Sequence, residues 1–433
     1  MITVGLTGNV AAGKSAVAEA WAQAGIPVLS ADRLAREVVA PGTEGLREVV
    51  EAFGPAVLDE AGGMDRAYVR DLVFRDSSAR HRLEGIIHPR VARERDRWVR
   101  TQTDEGMPLV VLEIPLLFEI GAQDQVDRVV LVDAAEDVRL ERLRRDRELS
   151  GDEARRMMAS QMDPGRKRAG ADHVIENDGD LEALRVSAAE VLGRLLPEES
   201  APPFEEPEPG RAPPPDSIRV DLHLHTRGSW DCLSEPEALL ARARTRGVTR
   251  LAMTDHNSLS LALEMAQRHP DTVIPGEEVR TAEGIDVIGL YLREEIPRGT
   301  PAREVIRRVR EQGGIAYLPH PYASGKGGGG RFAEELAPLV DVVEVFNGRL
   351  HPGRLNGPAQ ALARRFGRLR GAGSDAHTVG EVAGSYVEVP DHANTADALR
   401  KALLLGRPAG RTSSSLVHLA STWAKVRKRL PGA

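Results

Sequence analysis

Residues 3–15 read TVGLTGNVAAGKS. A short apolar run, Thr3–Leu6, enters a loop bounded by glycines, and the loop runs straight into residues that open a helix. Gly8, Asn9, Val10, Ala11, Ala12, Gly13, Lys14 and Ser15 fit the pattern GxxxxGK[ST]. In a strand–loop–helix setting the loop's N–H groups and the helix N-terminus, through Ala16, surround phosphate oxygens. Lys14 reaches the outer phosphates and Ser15 can hold Mg²⁺. Such a loop is the first turn of an α/β unit, so this stretch predicts a P-loop kinase-type parallel sheet with helices on both faces.

The alternation continues outward. Strands are expected at Pro27–Ser30, Leu109–Glu113, Arg128–Val132 and His173–Ile175, and helices at Ser15–Ala24, Arg66–Phe74, Ala79–Arg100 and Asp152–Met162. Asp32 closes the second strand, where its carboxylate either accepts a proton from an attacking hydroxyl or caps a helix over Arg33–Val39. His88-Pro89 reads as a turn after an amphipathic helix, with Arg90 beside it. Arg142, Arg144, Arg145 and Arg147 form either a solvated helix face or a lid clamping a transferring phosphoryl group. Lys167, Asp172 and Asn177 complete the set.

In order, the segments GLTGNVAAGKS, SADRLAREVV, IIHPRV, EIPLLFE and QMDPGRKRAGADHVIEN make residues 1 to about 195 resemble dephospho-CoA kinases. The resemblance implies transfer of the γ-phosphoryl of ATP, with Mg²⁺, to the 3'-hydroxyl of dephospho-CoA, a step of coenzyme A biosynthesis. By it Asp32 is the base, Lys14 and Ser15 hold phosphate and Mg²⁺, Arg142 and its neighbours form the lid, and helices between Asp32 and Met107 hold the pantetheine end. The chain departs from the family in two places. Asn9 and Ala11 stand where glycines are common, so non-glycine backbone geometry is expected at Ala11. Arg145-Asp146-Arg147-Glu148 replaces a common Arg-Asp-Gly, leaving the register of the lid arginines open.

Residues 197–217 read PEESAPPFEEPEPGRAPPPDS. Proline removes donors and the acids repel one another, so a semi-extended spacer is expected. It divides the chain into domains over 1–196 and 218–411, with a basic tail at 412–433.

Past the spacer, seven strands are expected: Val220–His223, Arg250–Met253, Val273–Pro275, Ile285–Leu290, Ile315–Leu318, Val342–Phe346 and Arg370–Gly373. Their ends carry chemistry. His223 and His225 point the same way from an extended segment. Asp255-His256, Glu277-Glu278, His320, Glu344 with Asn347, and Asp375 with His377 follow at the other ends. Five histidines among carboxylates at strand ends suit Zn²⁺, Mn²⁺ or Fe²⁺, and a bridging carboxylate between two ions can serve phosphoester hydrolysis. Strand ends are where a β/α barrel places its site.

VDLHLHT, TDHN, GEEV, LPHPY, VEVFN and GSDAH, in that order over about residues 218–411, resemble the PHP (polymerase and histidinol phosphatase) family. The resemblance implies a seven-stranded distorted β/α barrel, up to three metals and phosphoester hydrolysis. By it His223, His225, Glu278 and Asp375 hold one ion, Glu278, His320 and Glu344 a second, and Asp231, His256 and His377 a third. Asp286 stands where many members carry histidine, and either supplies an oxygen ligand or leaves the second ion weakly held. Readings of this half as an exonuclease, or as a regulatory module that binds metal without turnover, stay open. Arg280, Lys326 and Arg349 are either surface charges or contacts to substrate phosphate, and Gly325–Gly330 reads as a flexible loop over the site.

Composition bounds the rest. The chain's 433 residues exceed one ordinary core. Its 41% hydrophobic and 28% charged residues suit a globular protein, and a net charge of −7 argues against coating nucleic acid. The single Cys232 cannot form an internal disulfide, no apolar run reaches the roughly 18 residues of a membrane span, and the N-terminus lacks a signal-peptide pattern. A cytoplasmic enzyme is therefore expected, with ATP, dephospho-CoA and an unidentified phosphoester as its partners. Trp423–Arg429 reads as a frayed basic helix.

Overall fold

The computed structural model describes residues 1–196, 213–323, 327–328, 330–350, 356–414 and 417–428. Two compact units form, Met1–Glu19 with Pro27–Asp180, and Ala20–Ile26 with Leu181–Ala433. Most of the proline-rich spacer, 197–212, lies outside the described residues, as do Lys326 and Arg429.

In the first unit the strands are β1 (Ile2–Gly8), β2 (Val28–Ser30), β3 (Leu109–Glu113), β4 (Arg128–Asp133) and β5 (His173–Glu176), in the order β2-β3-β1-β4-β5. Every pairing is parallel. Val4, Leu6, Val110, Val111, Val130 and Val132 are fully buried, as a parallel sheet covered on both faces requires. β1 is central, with β3 on one side and β4 on the other, so the loop after it opens at the point where the strand order reverses.

Two expectations are corrected here. Asp32 does not cap a helix: Ser30 holds the N-cap position of helix Ala31–Glu37, and Asp32 lies exposed in its first turn. His88-Pro89 is not a turn, because helix Ser77–Asp104 runs through it. Proline inside a helix costs about 3 kcal/mol, and packing on both sides of it offsets that cost. Leu83, Ile86 and Ile87 pack on the cluster of Val39, Val49, Val57 and Val69, while Val91, Trp98 and Val99 pack on a second cluster with Leu34 and Leu117. Arg90 adds a hydrogen bond from Nη1 to the Ile86 carbonyl (2.9 Å) and an ion pair with Glu48 (2.5 Å).

The second unit holds β6 (Ser217–Leu224), β7 (Arg250–His256), β8 (Val273–Arg280), β9 (Asp286–Leu290), β10 (Ile315–Leu318), β11 (Val342–Asn347), β12 (Leu369–Gly373), β13 (Ser385–Pro390) and β14 (Arg407–Gly410). All seven expected strands form. Alternate residues enter two different cores: Val220, Ala252, Ile274, Ile288 and Tyr317 one, and Leu251, Met253, Val273, Val287 and Leu318 the other. The sheet order is β12-β11-β10-β9-β8-β7-β6-β13-β14. A parallel bridge between Leu224 and Ala376 brings the segment after β12 back to β6, so the seven strands β6–β12 nearly close into a barrel. The antiparallel pair β13–β14 extends from β6 and was not expected from the sequence.

One barrel strand is reversed: β9 pairs antiparallel with both β8 and β10. The connection 281–285 is too short for a parallel crossover, and it closes with a hydrogen bond from Thr281 N to the Ile285 carbonyl (2.9 Å). Asp286, the first residue of β9, therefore pairs with Arg280, the last of β8, and lies at the same mouth as the other strand ends.

Candidate active sites

The phosphate loop leaves β1 with Gly8 at φ 156 and Gly13 at φ 99. A Cβ on Gly8 would stand 2.2 Å from the Val132 carbonyl oxygen, so only glycine fits there. Ala11, contrary to the sequence expectation, adopts the left-handed conformation at φ 59. Neighbours over-determine it: Arg142 Nη1 donates to the Ala11 carbonyl (3.4 Å), Asn177 Nδ2 to the Ala12 carbonyl (2.8 Å), and Val10 N to Gln161 Oε1 (2.8 Å). Left-handed alanine costs about 1 kcal/mol. Ala11→Gly is expected to stabilise the first unit by about that amount in urea unfolding; an unchanged or lower midpoint would show that the loop carries no such strain.

Lys14 Nζ donates to the carbonyls of Gly8 (2.8 Å) and Asn9 (3.2 Å). Burial pushes its pKa down to about 8, with Lys167 and Arg147 acting the same way and Glu113 and Asp32 opposing. The charges of Asp32, Arg147 and Lys167 thus all act on Lys14. Ser15 Oγ donates to Glu113 Oε1 (3.1 Å). Glu113 was missed, although a carboxylate ending a strand beside the phosphate loop could have marked it. Lys167 is fully buried against Glu119 (2.6 Å). Among the arginines of helix Glu136–Arg147, Arg142 braces the loop and the Asn177 carbonyl (2.9 Å), Arg145 pairs with Asp146, and exposed Arg147 is the one whose charge acts on Lys14.

In the second unit, both bulges in the parallel ladder fall at predicted ligands, between Asp221 and Leu224 and between Glu344 and Phe346. Bulges re-aim side chains. His223 Nε2 and His225 Nε2 come within 3.2 Å of each other. Glu278 Oε2 lies 3.5 Å from His223 Nε2, 3.3 Å from His225 Nε2 and 2.9 Å from His256 Nδ1. Asp375 Oδ1 is 3.3 Å from His225 Nε2 and 3.8 Å from His223 Nε2. The other Glu278 oxygen, Oε1, is 3.1 Å from His320 Nε2, and Glu278, Asp286 and His320 form one potential ligand group. His377 Nε2 is 3.3 Å and His256 Nε2 3.8 Å from Asp231 Oδ2. The nine predicted residues therefore come together in one buried cluster.

The partners behind the imidazoles decide which nitrogen is free. His223 Nδ1 faces Glu344 Oε1 (3.0 Å), His225 Nδ1 faces Ser229 Oγ (3.0 Å), and His377 Nδ1 faces the Asp375 carbonyl (2.9 Å). These acceptors hold a hydrogen on Nδ1, so Nε2 is the nitrogen that would give its lone pair to a metal in the cluster. Glu344 has both oxygens engaged: Oε1 by His223 and Tyr317 OH (3.0 Å), Oε2 by His320 N (2.7 Å) and Asn347 Nδ2 (3.0 Å). It stands behind His223 as an orienting group rather than among the atoms facing the centre.

Metal fits this donor set. Asp231 Oδ1, Asp286 Oδ2 and His320 Nδ1 are buried and meet hydrogen-bond geometry with nothing among the described residues, a costly state that cations would relieve. Burial alone would raise Glu278 and Asp375, yet His256 and His223 beside the first, and His223 and His225 beside the second, hold both carboxyls well below the usual range. Burial, together with His377 and His256, pushes His225 down to about 4, so it is neutral and ready to coordinate. Backbone strain collects here too, with His320 at φ 28 and Asp375 at φ 50. Gly373 permits the close approach, since a Cβ there would lie 2.3 Å from His223 Cβ.

Sequence reasoning missed Ser229, Tyr317 and Trp230. Asp221 and Asp255 resemble ligands but hold the scaffold: Asp221 accepts from Ser374 N (2.9 Å) and Ala383 N (3.1 Å), and Asp255 from Thr226 N (2.6 Å), the Thr226 hydroxyl and the Ser229 hydroxyl (2.9 Å). Arg349 is buried on Glu381 (2.9 Å) and is no surface charge. Arg280 pairs with Asp286 (2.8 Å). Burial pushes the Cys232 thiol up to about 11, which makes it unreactive.

A phosphate loop at the switch point of a parallel sheet, with a buried lysine and convergent carboxylates, defines the first unit as a P-loop phosphotransferase. Residues 2–183 match the dephospho-CoA kinase family and residues 353–408 a PHP-associated family. Over 197 residues the chain is 43% identical to a dephospho-CoA kinase of Syntrophotalea carbinolica, covering 46% of this chain and 93% of the relative. The chain belongs to the dephospho-CoA kinase family through its first half and carries a PHP-associated segment in its second. Among solved structures, TT1252 from Thermus thermophilus is 35% identical, with 45% of this chain and 98% of that one covered and a TM-score of 0.40. A two-domain protein from Bacteroides vulgatus containing a predicted PHP-like metal-dependent phosphoesterase is 18% identical, with 48% and 68% covered and a TM-score of 0.37. No helix among the described residues is long and apolar enough to cross a membrane.

Proposed function

We propose that the first unit transfers the γ-phosphoryl of ATP to the 3'-hydroxyl of dephospho-CoA, and that the second hydrolyses a phosphoester with bound Mn²⁺, Zn²⁺ or Fe²⁺. For the first unit the reading rests on Lys14, held within the loop by the carbonyls of Gly8 and Asn9, with Ser15 beside it on Glu113. Asp32 accepts the hydroxyl proton, Lys14 and the loop N–H groups bind the outer phosphates, and Ser15 with Glu113 would hold Mg²⁺, which neutralises charge on the phosphates. Arg147 takes the lid role, and Arg142 positions the loop.

For the second unit the carrying observation is Glu278, whose two oxygens face different histidines, as a bridge between ions requires. His223, His225, Glu278 and Asp375 would hold one ion, Glu278, His320 and Asp286 a second, and Asp231, His256 and His377 a third. Bound metal would supply a nucleophilic hydroxide and charge to bind the ester. Substrates to try first are nucleotides and 3'-phosphorylated adenine compounds, because a by-product of coenzyme A arrives at high local concentration beside a tethered kinase, whereas hydrolysing coenzyme A itself would undo the kinase step. The deciding assay gives the pure chain dephospho-CoA, ATP and Mg²⁺, then Mn²⁺, and follows coenzyme A and free phosphate. Absence of coenzyme A overturns the first reading; absence of phosphate release from every nucleotide overturns the second.

Arg280 competes for Asp286 with the second ion. Arg280→Ala is expected to tighten the weakest Mn²⁺ by about tenfold, since a positive charge leaves a buried site. Metal titration followed by mass spectrometry checks this, and unchanged affinity would exclude Asp286 from the ion's ligands.

A further inference from the structure

The carboxyl-terminal helix, Val417–Arg427, is not frayed as its composition suggested. It is pinned to the second unit near both ends. Buried Arg349 donates from Nη2 to Ser421 Oγ (2.7 Å) and to the Val417 carbonyl (3.2 Å). Just past the other end, Lys428 Nζ donates to the carbonyls of Arg227 (2.6 Å) and Ser229. Ser421 and Ala424 are buried.

This docking holds Lys425 at the rim of the histidine cluster. Its Nζ is 4.0 Å from Asp231 Oδ2 and 4.4 Å from the centroid of the Trp230 ring. Trp230 is itself 50% exposed, while its ring centroid lies 6.0 Å from that of His256, with the planes tilted by 35°. A large ring half in water beside a buried polar cluster contributes little to a core, and an aromatic face there suits a flat partner.

Resting on the phosphoesterase reading above, we infer that Trp230 and Lys425 form the substrate subsite of the second unit, built for a nucleoside phosphate. Lys425 binds a phosphate oxygen and Trp230 stacks on the base. A cation held by Asp231 repels the Lys425 ammonium from that carboxylate, and a substrate anion placed between the two satisfies both charges. The ammonium then leaves the tryptophan ring, and stacking on a base replaces the cation–π contact. Arg349 and Lys428 are positioning residues that hold the helix.

The test uses the full chain loaded with Mn²⁺ and compares 5'-CMP with ribose 5-phosphate. Lys425→Ala should raise KM about tenfold for both compounds with metal content unchanged, and Lys425→Arg should restore most of it. Trp230→Leu should raise KM about tenfold for 5'-CMP and leave ribose 5-phosphate within about twofold. Wild-type kinetics in Lys425→Ala or Trp230→Leu, or equal losses on both compounds in Trp230→Leu, overturn the subsite. If the wild-type chain hydrolyses neither these compounds nor any other nucleotide or 3'-phosphorylated adenine compound, the phosphoesterase reading fails. Calorimetric binding of 5'-CMP then decides separately: binding weakened about tenfold by both variants keeps the subsite as a binding site, and no binding, or binding indifferent to the variants, overturns it.

Discussion

Coenzyme A formation by a Lys14→Ala chain is expected to fall by about 10²–10³-fold or more, with the second unit's Mn²⁺-dependent phosphate release untouched. The size follows from the site. Lys14 is the charged donor anchored within the loop by the carbonyls of Gly8 and Asn9, and losing one preorganised donor to transition-state charge costs that much. Lys14→Arg should not rescue it, because a forked guanidinium cannot occupy a cradle shaped for a point charge. The pH profile carries the same signature. Because burial lowers the Lys14 pKa to about 8, the free enzyme holds the ammonium below that pH and loses it above. The kcat/KM for ATP should therefore decline as pH rises through about 8, whereas kcat, measured with phosphates bound beside the amine, should hold to higher pH. Substantial activity in Lys14→Ala would remove Lys14 from the machinery, whereas a kcat/KM flat to pH 10 would show that burial does not lower its pKa.

The paired change His223→Ala/His225→Ala should abolish phosphate release, by about 10³-fold or more, and leave coenzyme A formation intact. Both Nε2 atoms face Glu278 and Asp375, so removing them strips two of the four ligands proposed for one ion and leaves two buried carboxylates uncompensated. Bound metal per chain, read by mass spectrometry, should drop with the activity. Glu344→Gln makes a graded comparison. It keeps the volume but weakens the acceptor behind His223, so metal affinity should fall by about 10–100-fold without the ligands themselves being lost. A double variant that retains both metal and turnover would sink the metal-centre reading.

Much of this was legible before any coordinates. The five strands of the first sheet and the seven of the barrel announce themselves as short apolar runs, because strands buried on both faces tolerate little else. The phosphate loop and the histidine–carboxylate pairs sit immediately after those runs, and chemistry at strand ends reads directly from order along the chain. Local rules failed where distant packing won. Pro89 stays helical because hydrophobic residues on both sides of it are clamped to the core. Ala11 turns left-handed because Arg142, Asn177 and Gln161 hold the surrounding loop.

By itself the sequence determined which residue types stand at which strand ends, since that needs only a period of two and a turn. The tertiary structure alone decided how they are used. It placed Glu344 behind His223, paired Arg280 with Asp286 across a reversed strand, assigned Asp221 and Asp255 to the scaffold, and brought Lys425 to Trp230 from 195 positions further along the chain. Arg280 and Asp286 meet across a short hairpin, but the other contacts join residues far apart in the chain and depend on the packing of the whole unit, which no local pattern encodes.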